Sequence, residues 1–316
     1  MRVALAVDLG GTLLRTGLVT EERSVLHQAT RRVEERRGNA ALEALLREAL
    51  GAAMEEVRAR GLQPVGVGLA VPGLVDPRRG VIRYSANLDL RELEVAEIAR
   101  EVLSLPVIVE NDVRAAAWGE WRWGAGEGAR IMVYLSAGTG IAAAVIDDGR
   151  LYHGGRAAAG EIGHVPVVRD GDRCRCGQHG CLETVAGGWG IVQRARRLEA
   201  TSPQAGAGYA RLHSTEAVFR AAAGGDTVAS AVVCEAGEFL GRAAVTAVRM
   251  WDPQCLVLGG GLFFPGSPLT DAVRRAVEGS AFFGEQPPPV RLAAFGGDAG
   301  LVGAACLVLA PAVTPP

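Results

Sequence analysis

The chain of 316 residues has the composition of an ordinary globular protein, with 49% hydrophobic and 22% charged residues. Its formal net charge is −2 and no basic stripe follows one face, so nucleic acid is not expected as a partner. All 33 cationic side chains are arginine, which excludes a lysine Schiff base or a lysine phosphate clamp. A chain of this length exceeds the usual single core, and we expect two lobes.

The sequence contains no sign of a membrane or secretory segment. No apolar run reaches the roughly 20 residues of a membrane span. The first apolar run, residues 3–7, ends at Asp8 and is too short for a signal peptide. Cys234, Cys255 and Cys306 lie in apolar surroundings and are expected to be buried, inert thiols. These features predict a cytosolic protein without a membrane partner.

The predicted elements alternate between strands and helices, which favours α/β layering. Up to residue 146 the pattern predicts strands at 3–7, 13–19, 65–71, 107–109, 131–135 and 141–146, and helices at 40–60 and 93–103. Later it predicts helices at 190–198 and 216–223, a long helix from 227 towards 250 with Asp226 as N-cap, a strand at 256–258 and a final helix after 297. A Gly/Ala/Pro-rich loop is expected at 201–208.

Two hairpins carry similar glycine turns, Gly10-Gly11-Thr12 and Ala137-Gly138-Thr139-Gly140. Backbone amides in such turns can approach phosphate oxygens, and a threonine hydroxyl adds a donor. Asp8 precedes the first turn and offers a carboxylate where phosphate-bound Mg²⁺ would need one. Most such turns only reverse the chain, and neither matches a Walker A loop. Their repetition favours phosphate binding and predicts two lobes that face one another across a cleft.

Asp112 lies where a predicted strand passes into a helix, a position that often faces a ligand. A carboxylate there could accept the proton of an attacking hydroxyl during phosphoryl transfer. The alternative is that Asp112 is an ordinary helix N-cap. Its neighbour Asn111 either binds a substrate hydroxyl or satisfies a turn. The local pattern leaves both pairs of alternatives open.

One short segment contains four side chains that suit a tetrahedral, structural zinc ion: His164, Cys174, Cys176 and Cys181. Glu161 and Glu183 bracket them, so a folded zinc loop would hold two hydrogen-bond acceptors in place, as a sugar site requires. The alternative is a zinc staple with two incidental glutamates.

In their order along the chain, these segments resemble the ROK (repressor, open reading frame, kinase) family, and within it most closely the bacterial glucokinases. The resemblance covers essentially the whole chain and is carried by residues 8–12, 71–76, 87–88, 110–112, 137–140, 159–164, 174–177 and 180–183.

This resemblance implies a two-lobed α/β fold of the actin/hexokinase (ribonuclease H-like) type with an active-site cleft between the lobes. We expect an N-terminal lobe over 1–115, with a C-terminal helix at 298–316 packing back on it, and a C-terminal lobe over 116–297 that carries a zinc loop at 164–181. The implied reaction is ATP-dependent phosphorylation of a hexose, with glucose as the first expectation. ATP, Mg²⁺ and a structural Zn²⁺ are the implied cofactors, and a homodimer or homotetramer is the implied assembly.

The resemblance also assigns roles to single residues. Asp112 is implied as the base that takes the proton of the sugar 6-hydroxyl. The implied sugar-binding set is Asn87, Asn111, Asp112, Glu161, His164 and Glu183, and the implied nucleotide set is Asp8, Gly10, Gly11, Thr12, Gly138, Thr139, Gly140, Gly260 and Gly261. His164 would bind zinc through one ring nitrogen and donate to the sugar through the other.

One residue and one short stretch depart from the family pattern, and three alternatives to a glucose kinase remain open. Leu13 replaces a polar or basic residue that follows Gly-Gly-Thr in many relatives, and Ala142 to Ala144 replaces a glycine-rich stretch; both bear on nucleotide affinity. The alternatives to a glucose kinase are a kinase for mannose, fructose or N-acetylmannosamine, a sugar-sensing regulator, or a non-catalytic sugar-binding protein. Asp8 lies too near the start of the sequence for a preceding DNA-binding module, which favours the enzyme.

Overall fold

The computed structural model describes residues 1–33, 36–201, 212–281 and 286–310. Within these ranges the strands are β1 (Arg2–Leu9), β2 (Leu13–Thr20), β3 (Val25–Arg32), β4 (Gln63–Val71), β5 (Leu74–Asp76), β6 (Val81–Ser85), β7 (Leu90–Leu93), β8 (Val107–Asn111), β9 (Ile131–Ala137), β10 (Ile141–Asp147), β11 (Arg150–Leu151), β12 (Cys255–Gly259) and β13 (Val290–Leu292).

The helices of the same ranges are α1 (Asn39–Ala59), α2 (Val95–Leu103), α3 (Asp112–Trp123), α4 (Leu182–Ala186), α5 (Gly188–Thr201), α6 (Thr215–Ala223), α7 (Thr227–Trp251), α8 (Pro268–Glu278) and α9 (Ala299–Leu309). The chain forms two compact units. The first contains residues 1–130, 144–159 and the described residues from 293 onward, and the second contains 131–143 and the described residues of 160–292.

The first unit is built on a five-stranded sheet with the order β3-β2-β1-β4-β8. Strands β1, β2 and β3 pair antiparallel, whereas β4 and β8 join β1 in parallel. Strand β1 is buried from Val3 to Leu9, as expected for a central strand covered on both faces. Helices α1 and α2 contribute to the core around Leu5, Leu45 and Leu69. A smaller antiparallel sheet, β5-β6-β7, belongs to the same unit.

Helix α9 packs on β1, β4 and α3 of the first unit. Glycines allow this close approach, because a Cβ atom at Gly68 would overlap the carbonyl oxygen of Ala304 and one at Gly119 would lie 3.0 Å from the Cα atom of Gly303. The packing on α9 explains why α3 and the residues up to 130 belong to the first unit, whereas the boundary was predicted after residue 115. Residues 311–316 of the predicted final helix lie outside the described residues.

The second five-stranded sheet has the order β11-β10-β9-β12-β13, and its parallel strands β9, β12 and β13 belong to the second unit. The division between the units falls inside β10. The long helix α7 is capped as predicted, because Asp226 Oδ1 accepts a hydrogen bond of 2.9 Å from the backbone N–H of Ala229. The predicted loop at 201–208 lies, from residue 202 on, outside the described residues.

The three cysteines outside the predicted zinc loop differ in exposure. Cys255 and Cys306 are buried, as predicted, and burial raises the pKa of the Cys306 thiol to about 12. The prediction was wrong for Cys234, which is exposed on α7. Its apolar chain neighbours, such as the buried Val233, point to another side of the helix.

Across the described ranges, no single helix has the length and apolar character needed to cross a membrane. Helices α6 and α7 meet that test only when taken together, as a pair bent by 112°.

Candidate active site residues in each unit

In the first unit, Asp112 is the first residue of α3, immediately after β8. The N-cap is Asn111, whose Oδ1 accepts hydrogen bonds from the backbone N–H groups of Val113 (3.1 Å) and Arg114 (3.2 Å). Capping by Asp112, the alternative considered from the sequence, is therefore not observed. Asp112 Oδ1 instead accepts hydrogen bonds of 2.9 Å from Asn111 Nδ2 and from the Val113 N–H. These two donors fix the orientation of a half-buried carboxylate.

Glu110, on the strand that precedes Asp112, forms a cluster with Arg114 and His153, called here the carboxylate cluster. Glu110 Oε1 accepts hydrogen bonds from Arg114 Nε (2.7 Å) and the Asn111 backbone N–H (2.8 Å), and its Oε2 lies 2.6 Å from His153 Nε2. Burial alone would raise the pKa of Glu110, but the bonds to His153 and Arg114 leave this pKa below its ordinary value. Glu110 is therefore ionised at neutral pH, although it is buried.

The sequence analysis missed this cluster. Glu110 and Arg114 are four residues apart at the start of a helix, a spacing that predicts an ion pair. His153, however, is separated from Glu110 by 43 residues, and only the folded chain brings the two together.

The first glycine turn closes the β1–β2 hairpin through a hydrogen bond of 2.8 Å from the Gly10 N–H to the Leu13 carbonyl oxygen. Gly11 and Thr12 are exposed. Asn87 lies beside this turn, with its Cβ atom 4.0 Å from where a Cβ of Gly11 would be. The structure therefore brings together two parts of the first unit to which the sequence assigned nucleotide and sugar contacts.

Asp8 forms an ion pair with Arg15, the residue opposite it on β2. Arg15 donates through Nε (3.1 Å) and Nη2 to Asp8 Oδ2, and through Nη1 to the carbonyl oxygen of Gly297 (2.6 Å). Burial raises the pKa of Asp8, and the guanidinium opposes that shift. Arg15, which sequence reasoning missed, lies two residues from Leu13, a spacing that places both on the same face of β2. It supplies a cation near the turn where Leu13 supplies none.

In the second unit, Glu183 supports the second glycine turn. Its Oε2 accepts a hydrogen bond of 3.0 Å from the Ile141 N–H, and its Oε1 accepts one of 3.0 Å from Trp189 Nε1. The Gly138 N–H donates to the Gly140 carbonyl oxygen (2.9 Å), and Gly140 leaves the space that Glu183 fills. Glu183 is thus built into the turn, although each carboxylate oxygen has a second lone pair for another donor.

The turn at Gly260 and Gly261 adjoins the second glycine turn. Gly260 has φ +85°, and a Cβ there would overlap the carbonyl oxygen of Ala137. A Cβ at Gly138 would lie 3.8 Å from the backbone nitrogen of Gly261. The second unit therefore gathers the glycines at 138, 140, 260 and 261 around one exposed backbone surface that can approach a phosphate or a sugar closely.

The ligand atoms of the predicted zinc residues, called here the thiol cluster, all lie within 4.8 Å of one another: His164, Cys174, Cys176 and Cys181. Cys174 Sγ is 3.5 Å from His164 Nδ1, and Cys176 Sγ is 3.7 Å from Cys181 Sγ. In a tetrahedral zinc site with bonds of roughly 2.0–2.3 Å, ligand atoms are separated by about 3.5–3.8 Å. The thiol cluster therefore has the dimensions to hold a zinc ion.

The chemistry of the thiol cluster also fits a cation. The three cysteines form no disulfide bonds. Burial together with the neighbouring thiols raises the pKa of Cys181 to about 12. A bound cation is what would keep these sulfurs as thiolates at neutral pH. With Nδ1 directed to the cluster, the other ring nitrogen of His164, Nε2, lies 3.8 Å from Glu161 Oε2. Glu161 and His164 thus present a paired acceptor and donor, both partly exposed.

The chain is similar to known proteins along nearly its whole length. The family model of the ROK family matches residues 4–310. A glucokinase of Streptomyces coelicolor is 33% identical over 320 residues, covering 98% of this chain and 99% of that protein. Two solved structures are similar along 97% of this chain at 31% identity. One is a ROK family glucokinase from Streptomyces griseus in complex with glucose and AMPPNP (TM-score 0.82, 99% of that chain), and the other is a ROK hexokinase from Thermus thermophilus (TM-score 0.79, 97% of that chain).

The predicted fold class is confirmed, because the mixed α/β architecture matches these structures over nearly their whole length. The chain has the two-lobed α/β fold of the actin/hexokinase type, and it belongs to the ROK family.

Proposed function

We propose that the protein is an ATP-dependent sugar kinase that phosphorylates glucose to glucose 6-phosphate. The observation that carries this proposal is the carboxylate of Asp112, oriented by Asn111 and by the start of α3, in a chain that matches glucokinases along nearly its whole length. Phosphoryl transfer through a loose transition state depends mainly on positioning and charge, and a fixed carboxylate provides both.

The proposed reaction is a displacement at the γ-phosphorus of ATP. The 6-hydroxyl oxygen of the sugar forms a bond to the γ-phosphorus, the bond from that phosphorus to the bridging oxygen of ADP breaks, and Asp112 takes the hydroxyl proton. In this proposal the sugar is bound by Asn87, Asn111, Asp112, Glu161, His164 and Glu183. The partly exposed Glu161 and His164 are suited to sugar hydroxyls because one accepts and the other donates.

The phosphates of ATP are assigned to the exposed backbone of the two glycine turns, with Gly260 and Gly261 on the adenosine side. Mg²⁺ would enter with the nucleotide and neutralise the charge that develops on its phosphates. Asp8 Oδ2 is engaged by Arg15, so direct coordination of Mg²⁺ by that oxygen would require Arg15 to turn away. Arg15 itself offers a positive charge near the first turn.

The thiol cluster is proposed to hold one structural zinc ion per chain. The ligand separations and the chemistry of three thiols and one imidazole support this assignment. With Nδ1 on the metal, the tautomer of His164 is fixed and Nε2–H becomes a donor for a sugar hydroxyl. The zinc would then be structural and would still be required for sugar binding. A cytosolic homodimer or homotetramer completes the proposal, and light scattering of the purified protein distinguishes the two assemblies.

The test is a coupled ADP-release assay with glucose, mannose, fructose and N-acetylmannosamine, each with ATP. We expect glucose to give the highest kcat/KM. Asp112→Asn is expected to lower kcat by a factor of about 10²–10⁴ while glucose binding, measured by calorimetry, changes little. Asp89→Asn, which alters an exposed aspartate of the same unit, is the matched control. Turnover with none of the four sugars would favour a binding protein, and normal turnover of Asp112→Asn would remove Asp112 from the role of base.

A further inference from the structure

The carboxylate cluster contains charges whose burial demands an explanation. The side chains of Glu110 and Arg114 are each only 4% exposed, and His153 covers Glu110 from the outside with a side chain that is 34% exposed. Burying a carboxylate and a guanidinium costs several kcal/mol in desolvation, and apolar replacements of such pairs are often as stable. Arg114 Nη2 is buried and has no hydrogen-bond partner within the described residues. Stability alone therefore does not account for this arrangement.

The cluster connects directly to Asp112. Glu110 Oε1 accepts a hydrogen bond from the backbone N–H of Asn111, and this bond fixes the end of β8. The Asn111 side chain then divides its functions: Oδ1 caps α3, while Nδ2 donates to Asp112 Oδ1 and to the carbonyl oxygen of Gly73 (3.2 Å). Each residue from Glu110 to Asp112 is thus held by a bond to the next one.

His153 determines the position of Glu110 in this chain of contacts. Because Glu110 is ionised and can only accept, His153 Nε2 must carry the proton of the 2.6 Å hydrogen bond. The Asn111 N–H and Arg114 Nε both bind Oε1, so the carboxylate is fixed at both oxygens only while Oε2 also has a donor. His153 is the donor that holds Oε2, and it is the one member of the cluster with substantial exposure.

We infer that His153 is a positioning residue for the reaction, which acts on Asp112 through Glu110 and Asn111. The inference rests on the proposed kinase function and extends it, because it assigns a role to a histidine that contacts neither hexose nor nucleotide in that proposal. Loss of the His153 bond would let Glu110 rotate, loosen the Asn111 N–H and broaden the range of Asp112 orientations. Small losses of orientation at a reacting group lower the rate of the chemical step.

The test compares His153→Ala with His153→Gln and with a matched control. Gln can place an amide donor where Nε2 of the imidazole lies, whereas Ala cannot. We expect His153→Ala to lower kcat about tenfold, with the KM for hexose within about twofold of the wild-type value, and His153→Gln to recover most of kcat. The control is His27→Ala, which removes a histidine of similar exposure (30%) whose Nδ1 lies 3.8 Å from Glu56, away from Asp112. It should leave both parameters unchanged.

A double-mutant cycle separates positioning from general damage. If His153 acts through Asp112, adding His153→Ala to Asp112→Asn should lower the residual activity no further, whereas independent effects would multiply. Should His153→Ala fold poorly, the comparison of His153→Gln with His153→Asn, whose amide is too short to reach, gives the same contrast.

Two outcomes would overturn the inference. The first is a normal kcat in folded His153→Ala. The second is a raised hexose KM with unchanged kcat, which would assign His153 to anchoring residues 153–159, where Arg114 Nη1 donates to the Ala157 carbonyl oxygen (3.3 Å). The proposed function fails separately, through absence of wild-type turnover or full activity of Asp112→Asn.

Discussion

The carboxylate cluster of the first unit and the thiol cluster of the second both need a positive charge to balance acidic groups, but they obtain it from different sources. In the first, Glu110 finds its opposite charge inside the protein, in Arg114, and a further donor in His153. In the second, three thiols and an imidazole converge, and each of these groups binds a cation best when it has lost its proton. The opposite charges of the first cluster are both supplied by the protein, whereas the second cluster is organised for a charge that comes from outside.

Removal of the metal gives the largest expected difference between the clusters. Structural zinc contributes on the order of 10 kcal/mol to the folding of the segment that binds it. Cys181→Ser is therefore expected to lower the zinc content from about one ion per chain to far less, and to weaken hexose affinity at least tenfold through loss of the position of His164. Elemental analysis and calorimetry measure the two effects, and ATP affinity should change much less. Cys234→Ser, at an exposed cysteine outside the cluster, is the control. Unchanged hexose affinity in zinc-free protein would contradict this account.

The carboxylate cluster should respond to loss of a charge rather than to chelation. Glu110→Gln leaves Arg114 buried without its counter-charge, and we expect a loss of about 3–5 kcal/mol in the free energy of unfolding. Urea denaturation followed by circular dichroism measures this loss. The matched control is Glu43→Gln, which breaks the exposed pair with Arg47 on α1 and should leave the midpoint unchanged. A chelator should have no effect on the carboxylate cluster, and equal midpoints for Glu110→Gln and wild type would show that its charges carry no net stability.

Acid should remove the same contribution gradually. The pKa of Glu110 is lowered in the folded protein from its ordinary value of 4.5, so its stabilisation is fully present above the unfolded pKa and is lost as the pH falls through the folded pKa. The stability difference between wild type and Glu110→Gln should therefore stay constant down to about pH 5 and shrink below about pH 4.5. Urea titrations at a series of pH values measure it. A difference that grows in acid would have the wrong sign for a depressed carboxyl pKa.

Thiol reactivity distinguishes metal-bound cysteines from exposed ones, and it is the smallest of the expected effects. In the zinc-loaded protein we expect one fast-reacting thiol, Cys234, because Cys255 and Cys306 are buried and the remaining three are metal-bound. Chelation should raise the number of reactive thiols to four, since loss of the metal frees Cys176 and loosens the loop that buries Cys174 and Cys181. Titration with a chromogenic disulfide counts them. If three or more thiols react rapidly before chelation, the zinc assignment is wrong.

The sequence predicted most of what depends on local order. The four strands of the two glycine hairpins were predicted within two residues of their observed ends, because buried β-branched runs and glycine turns are local signals. The four residues predicted as metal ligands lie close together in the structure, and the sequence could group them because they lie in one short segment. Helix α8 was not predicted, although Ser267 followed by Pro268 is a recognisable helix start.

Other features depend on contacts that no local pattern encodes. Strand β3 was not predicted, because its exposure alternates along an edge of the sheet without a continuous apolar run. The pairing of His153 with Glu110 and that of Asp8 with Arg15 follow from strand register and tertiary packing. The exposure of Cys234 likewise depends on which side of α7 faces the core.

The close packing of α9 against β4 has a consequence for folding during translation. The N-terminal strands leave the exit tunnel first, yet the helix that covers them is translated only after the whole of residues 160–292. Until then, chaperones or transient partners must cover the apolar faces of these strands. In a nascent chain the second unit can therefore reach its native contacts early, whereas the first unit, which holds Asp112, can complete its core only after α9 has been synthesised.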